Sequence, residues 1–482
     1  MDLGFYTVNT DLILAYLAAF FSQPTWTVIF ELVALGGWLI LYYLLFYVGL
    51  HLYQEYRQEK NTHHWKWILL AIDIPPINVQ TPKAVEQMFA QIAGAYDAPN
   101  IAQKFHHGYK QRWFSFEIIS IEGYIQFLVR TEEKFRDLIE ASVYAQYPDA
   151  EITEVEDYVK SVPDSFPNKD YDIWATEFAL TQHEGIPLRL YREFEHSISK
   201  DTVLKDPMGT FLESFSRIGP GEQMWFQMVA EPTGSSWKEH VIEKIKELIG
   251  DTSLHAHHGE KNVIDKTIDS GFLLFERFGD VVLGREWGEA SAHEEKKEEP
   301  NKLKYLTPGQ VKLVESMEEK INKIGYKVKI RGVYFARKEV FNPARGANAL
   351  VGAINQYNMP NANCLAPAYG VSAHYLFAEQ RKAYRKTALM KAFKKRKLKF
   401  GKNPYVLNIE ELATLWHFPM SHVKTPLVQK AEGKRAEPPS SLPIESVLAP
   451  EVVKEKKQEV KRPVGYTTDS GAVFDDNGVK FG

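Results

Sequence analysis

Residues 27–53, TVIFELVALGGWLILYYLLFYVGLHLY, carry one formal charge, Glu31. The run is longer than the ~20 apolar residues an α-helix needs to cross a bilayer, and no other stretch of the 482 residues approaches it. It predicts a transmembrane helix over 26–53, with the remainder of the chain held on one side of a membrane. Residues 1–26 hold no Lys or Arg, whereas Arg57, Lys60 and Lys66 follow the run closely. That bias predicts a single pass with the N-terminus outside and the body cytoplasmic. The missing basic start and the length of the run argue against a cleavable signal peptide. Residues 12–21, LILAYLAAFF, are too short to span. Within the 1–25 segment they read as an interfacial or re-entrant stretch, with a second short span as the alternative. Glu31 lies close enough to Trp26 for its carboxylate to snorkel to the interface.

Cys364 is the only cysteine, so neither an internal disulfide nor a Cys-rich zinc site is available. The 58 basic and 62 acidic residues leave a net charge of −4. The sum says nothing about nucleic acid, and the distribution says more.

Downstream, the patterning predicts an α+β body. Residues 67–74 (WILLAIDI) form an apolar run of strand length stopped by two prolines, and Thr81-Pro82 opens a helix with a cap and a proline at its first position. WFSFEII (113–119) and YIQFLVR (124–130) form a strand pair about Glu122-Gly123, a helix follows Thr131, and the acidic EITEVEDY (151–158) ends the unit. This β-α-β-β-α-β order predicts a ferredoxin-like module over 65–160. After a connecting region at 161–222, a second ferredoxin-like module is expected over 223–365. Its elements are the strand MWFQMVA (224–230), a helix near 237–249, a helix from Thr307-Pro308, a strand pair in YKVKIRGVYFARKEVF (326–341) and a helix from Asn342-Pro343. A tandem duplication accounts for both modules, and two unrelated α+β units remain the alternative. The second module holds a charged insertion at 251–303; a basic helical segment at 371–402 and a motif region at 403–429 follow it, and a Pro/Lys/Glu-rich linker at 430–463 leads to a strand-like tail at 464–482.

No P-loop, G-x-S-x-G, H-E-x-x-H or kinase signature occurs. The histidines at 63–64, 106–107, 255, 257 and 258 read as polar loop residues, so neither metal nor cofactor is expected. The strongest charged feature is a run of eleven cations without an acid: Arg381, Lys382, Arg385, Lys386, Lys391, Lys394, Lys395, Arg396, Lys397, Lys399 and Lys402. Tyr384, Leu389, Phe393 and Phe400 interleave with it. Three readings stand: a backbone-directed, salt-sensitive nucleic-acid contact, a surface for anionic lipid, or a solvated face balanced by acids elsewhere.

Four segments together carry a resemblance: SFEIISIEGYIQFLVRTEEKFRDLIEASVYAQYPDAEI (115–152), DPMGTFLESFSRIGPGEQMWFQMVAEP (206–232), NPYVLNIEELATLWHFP (403–419) and FDDNGVKFG (474–482). Their order and spacing resemble the membrane-linked N-terminal half of bacterial conjugative type IV secretion ATPases and HerA/FtsK-like DNA-translocating motors. In those relatives the D-D-x-G-V-x-F-G stretch comes just ahead of the Walker A loop. This sequence stops at Gly482, so no nucleotide-binding or hydrolytic residue can be carried over. The resemblance implies a non-catalytic scaffold at the inner membrane. It would be oligomeric within a larger assembly, contact the lipid bilayer and DNA, and dock a separate P-loop ATPase in trans. The alternative is a stand-alone, membrane-tethered nucleic-acid-binding protein that uses residues 381–402.

Overall fold

The computed structural model describes residues 15, 18–20, 22–32, 34, 37–75, 78–194, 206–249, 306–373, 377–420, 473–474 and 480–481. The insertion at 251–303, the linker at 430–463, the histidines at 255, 257 and 258, and most of the segments 1–25 and 464–482 lie outside them. Two compact units divide the chain, Met1–Gly433 and Lys434–Gly482.

In the first unit the elements run α1 (Thr25–Leu32), α2 (Trp38–Thr62), β1 (Trp67–Asp73), α3 (Pro82–Ile92), α4 (Ile101–Phe105), β2 (Phe114–Ile121), β3 (Tyr124–Glu132), α5 (Arg136–Tyr144) and β4 (Glu151–Val155). They continue with β5 (Tyr171–Leu180), α6 (Pro207–Ser216), β6 (Glu222–Pro232), α7 (Ser236–Ile249), α8 (Pro308–Ile321), β7 (Gly325–Arg337), α9 (Pro343–Asn355), β8 (Leu365–Gly370), α10 (Ala378–Lys394), β9 (Tyr405–Asn408) and α11 (Ile409–Leu415). In the second unit, β10 (Val473–Phe474) pairs antiparallel with β11 (Lys480–Phe481).

Nine strands of the first unit form one sheet in the order β4-β1-β3-β2-β6-β7-β5-β8, with β9 added alongside β7. Every pairing is antiparallel. One face carries Phe116, Ile118, Phe226, Met228, Ile330 and Tyr334, on which α3, α6, α9 and α11 pack. The other face carries Ile119, Trp225, Val333 and Ala175, closed by the 159–166 loop and by Leu389, Met390 and Phe393 of α10. A smaller cluster joins α7 and α8 around Met317 and Val241.

This sheet overturns the expectation of two ferredoxin-like modules. The first six expected elements do form, but β2, which would be the edge of a separate module, pairs with β6 along its whole length, from Phe114↔Ala230 to Ile121↔Gln223. The two halves therefore share one hydrogen-bonded ladder. The strand pair expected over 326–341 is a single strand, β7, which runs straight through Gly332. A Cβ at Gly332 would lie 2.3 Å from Leu350 Cδ2. The glycine makes room for α9 on the sheet face and does not turn the chain.

The expected transmembrane helix is also overturned. The run 27–53 is divided between α1, of eight residues, and α2, of 25. Only Trp38–Tyr53 of α2 is apolar; these sixteen residues span about 24 Å at 1.5 Å each, against ~30 Å of hydrocarbon. The remaining nine, QEYRQEKNT, are polar. Among the described residues no helix is long and apolar enough to cross a membrane.

Candidate functional site

Four central strands each place one polar side chain at the same level of the α10-covered face. Glu117 of β2 stands opposite Gln227 of β6, Gln227 opposite Arg331 of β7, and Arg331 opposite Glu177 of β5. All four are buried. Gln227 Nε2 donates to Glu117 Oε1 at 3.0 Å, Arg331 Nη1 to Gln227 Oε1 at 3.2 Å, and Arg331 Nε to Glu177 Oε1 at 3.0 Å. A hydrogen-bonded row thus crosses four strands inside the protein. Buried charge requires matched partners; Arg331 and Lys329 of β7 serve Glu177, and the basic segment supplies the one for Glu117.

Helix α10 ends in a Schellman turn. Arg396 N–H donates to Phe393 O at 2.9 Å and Lys397 N–H to Ala392 O at 3.0 Å. The left-handed position, where glycine is usual, holds Arg396 at φ 48°. That conformation costs a non-glycine residue roughly 1–2 kcal/mol, and the side chain offsets it. All five guanidinium N–H groups have acceptors: Glu117 Oε1 (2.9 Å) and Oε2 (3.1 Å), Asp157 Oδ2 (2.6 Å) and Oδ1 (2.9 Å), and Lys394 O (2.9 Å). Burial works against the charge on both partners, yet Arg396 holds the Glu117 carboxyl below its usual range, and Glu117 raises Arg396. Burial, and then Glu117, push the Tyr158 hydroxyl well above 10; it donates to Glu117 Oε2 at 2.9 Å.

The chain after Arg396 lies across the row as a strap. Phe393 O accepts from Gln227 and Lys397 O from Arg331; Lys402 N–H donates to Glu177 Oε2 at 3.0 Å, and Lys329 bonds to Lys402 O. Glu117, Asp157 and Glu177 are thereby matched by Arg396, Arg331 and Lys329.

The eleven cations do not form one surface. Arg396 is inside. Lys394 pairs with Asp164, Lys386 with Asp172 at 2.5 Å and Lys382 with Glu379 at 2.9 Å, while Arg385 bonds to Ser372 O. Arg381, Lys391, Lys395, Lys397, Lys399 and Lys402 are exposed. Lys391 and Lys395 gather with Lys394 around Asp164, whose carboxyl Lys394 holds below its usual range. Lys397 and Lys399 lie within electrostatic reach of Lys110, whose amine is held below its usual range by burial and then by Lys399. Beside them sits Glu231, the cross-strand partner of Lys327; burial raises it to about 6 despite Lys327, Lys399 and Lys110.

The described part of the motif region expected at 403–429, which reaches residue 420, is a plug. Residues 405–418 are all buried. Trp416 packs edge-on to Phe89, Phe116, Phe127 and Phe418. Glu411 accepts from Lys320 at 2.9 Å, and Glu410 from Lys323 at 2.6 Å. His417 faces oxygens through both ring nitrogens, Ala413 O at 2.8 Å and Asp206 Oδ1 at 2.8 Å. Asp206 also accepts from the backbone N–H of Met208 and Met420. Burial opposes the Asp206 charge, but His417 and these amides outweigh it and hold the carboxyl below its usual range.

The polar end of α2 is clasped. Arg57 bonds to His106 O, Gln58 Nε2 to Tyr109 O at 3.1 Å and Asn61 Nδ2 to Gly108 O at 3.1 Å. Gly108 has φ +64°, and a Cβ there would meet Arg57 O at 2.2 Å, so the loop can touch the helix only as glycine. Beyond the clasp Trp65, Trp67 and Trp113 cluster, with centroids 5.0–5.9 Å apart. Arg112 lies over Trp65 at 4.2 Å, Arg130 over Trp67 at 4.3 Å and Lys110 over Trp113 at 4.8 Å. From Trp38 to Tyr56, α2 exposes apolar side chains on every side, Leu45 at 59% and Tyr56 at 60% among them.

Among the described residues no group of three His, Cys, Asp or Glu is placed to hold a metal. The sequence reading passed over the row Glu117–Gln227–Arg331–Glu177. Its one available signal was a single carboxylate amid the apolar residues of two strands, as in FSFEIISI and WATEFAL.

No curated protein matches the sequence. The profile of a domain of unknown function, DUF8128, matches residues 75–431, which takes in every strand of the nine-stranded sheet except β1, and the buried row, the strap and the plug. The match covers more than half of the chain, and the protein belongs to the DUF8128 family.

Proposed function

We propose that this protein is a lipid-attached scaffold without catalysis of its own, which docks a separate P-loop ATPase of a type IV secretion-like or conjugative DNA-translocation system. The observation that carries the reading is the clasped α2. A helix that is apolar all round for sixteen residues is fixed by three side-chain hydrogen bonds to the 106–109 loop of a broad sheet domain. Such a helix needs cover on every side, which lipid supplies and one protein groove does not. The clasp fixes the body relative to the lipid that covers the helix. The carboxylates Glu117, Glu177, Glu410 and Glu411 are engaged by buried or half-buried Arg and Lys side chains and Asp206 by the buried His417 ring, as suits groups that hold a fold together.

The choice of machine rests on the resemblance of the segments at 115–152, 206–232, 403–419 and 474–482 to the membrane-linked half of such motors. The basic flank of Arg57, Lys60 and Lys66 favours the cytoplasmic face of the membrane, and assembly as an oligomer with the motor follows from the same reading. The test is co-purification of the full chain with a P-loop ATPase encoded beside it, together with that enzyme's rate of ATP hydrolysis. Association and an altered rate are expected. A chain that neither binds the ATPase nor changes its rate refutes the docking role.

A further inference from the structure

We propose that one end of the fold, formed by the apolar half of α2, the Trp65–Trp67–Trp113 cluster and the lysines Lys110, Lys397 and Lys399, is a contact surface for anionic lipid headgroups. The proposal rests on the lipid attachment argued above and adds which lipid chemistry is recognised and which residues read it.

Three observations bring the tryptophans and lysines to the clasped polar end of α2, from which its apolar half extends. The clasp presses the 106–109 loop, which leads directly into Lys110, against α2. Lys110 Nζ lies over the Trp113 ring, and Trp113 touches Trp67 and Trp65. Lys110 also lies within electrostatic reach of Glu55 on α2 and of Lys397 and Lys399 on the strap. The strap cannot swing away, because Arg396 and the Lys402 backbone pin both of its ends to the buried row.

The chemistry of this end is mixed. Half-buried indoles offer a wide apolar body, which suits the boundary between headgroups and acyl chains. Exposed lysines beside them meet phosphate or carboxylate headgroups. Nucleic acid would satisfy the lysines and leave the apolar helix in water, whereas an anionic bilayer satisfies both.

The experiment is flotation of the full chain with phosphatidylcholine vesicles and with vesicles that also contain phosphatidylglycerol. The expected result is tighter binding to the anionic vesicles that weakens as salt rises. The double variant Lys397→Glu/Lys399→Glu should lose at least about twenty-five-fold on anionic vesicles, at roughly fivefold per lysine removed, and nothing on neutral ones. The control Lys83→Glu/Lys312→Glu, exposed on α3 and α8, should bind as the parent does. Unchanged circular dichroism and melting confirm that both variants fold. Equal binding of the parent to the two vesicle types overturns the headgroup surface and leaves lipid attachment standing. Binding to neither overturns the attachment itself. Salt-sensitive binding of duplex DNA that Lys397→Glu/Lys399→Glu abolishes, with vesicle binding unmoved, assigns the lysines to nucleic acid instead.

Discussion

Replacing Arg396 with Met tests the account of the basic segment most directly. The substitution keeps the stem and removes five donors, four of them to carboxylates. Glu117 keeps Ser115, Gln227 and Tyr158 as donors but loses its counter-ion. Asp157 is 21% exposed and can be solvated, whereas Glu117 is 0% exposed and cannot. Breaking a buried pair from one side costs about 3–5 kcal/mol, and the Glu117 burial places Arg396→Met in that range. Arg396→Gly loses the same pairs but relieves the left-handed backbone, so it should be about 1 kcal/mol more stable than Arg396→Ala. The double variant Arg396→Met/Glu117→Gln removes both charges and should cost less than the two single changes summed, with a coupling of about 2–3 kcal/mol. Urea unfolding at pH 7, followed by far-UV circular dichroism and by tryptophan fluorescence, reads all five variants, the single Glu117→Gln included; Trp225 packs 5.2 Å from Phe393 beside the site. A loss below about 1 kcal/mol for Arg396→Met, or simple additivity in the double variant, would refute the idea that the basic segment is an internal counter-charge.

Three further outcomes are expected. Burial raises Glu231 from 4.5 to about 6, so its protonation stabilises the fold fully below pH 4.5 and this contribution is lost as pH rises through 6; Glu231→Gln should abolish a stability change of up to about 2 kcal/mol across that window in pH-dependent unfolding. Asp206 is held below 3.8, so its contribution is present above 3.8 and lost as pH falls toward its folded value; Asp206→Asn should remove that acid-side loss and cost about 1–3 kcal/mol at pH 7. Gly108→Ala should release the polar end of α2, seen as faster amide exchange and protease cleavage over 54–66, with melting of the body unchanged.

Element starts were legible wherever a cap and a proline coincide. Thr81-Pro82, Thr307-Pro308 and Asn342-Pro343 open α3, α8 and α9, and Thr307 forms a capping box with Gln310. Local chemistry decides such points. The joining of the halves was not legible, because the pairing of β2 with β6 depends on residues more than a hundred positions apart. Lys327, Lys329 and Arg331 alternate as a solvent face would, yet Lys329 and Arg331 are buried because Glu177 lies opposite on β5. That strand falls in the region expected to be a mere connection. The basic run was legible as charge but not as a counter-charge, since Glu117 lies 279 positions from Arg396. The apolar run showed the need for cover, but the clasp on Arg57, Gln58 and Asn61 left no trace in local pattern.

The strap and plug also set a schedule for biosynthesis. Arg396 and the buried residues 405–418 leave the ribosome long after Glu117, Gln227 and Glu177. Until they emerge, the nascent sheet lacks both the cation for Glu117 and the hydrophobic wedge that Trp416 drives between Phe89, Phe116 and Phe127. The first half of the polypeptide therefore waits, unlike a domain that settles as it is made. Contacts so distant in sequence make closure slow, and a chain cut before residue 396 should accumulate as an unfinished, chaperone-bound intermediate.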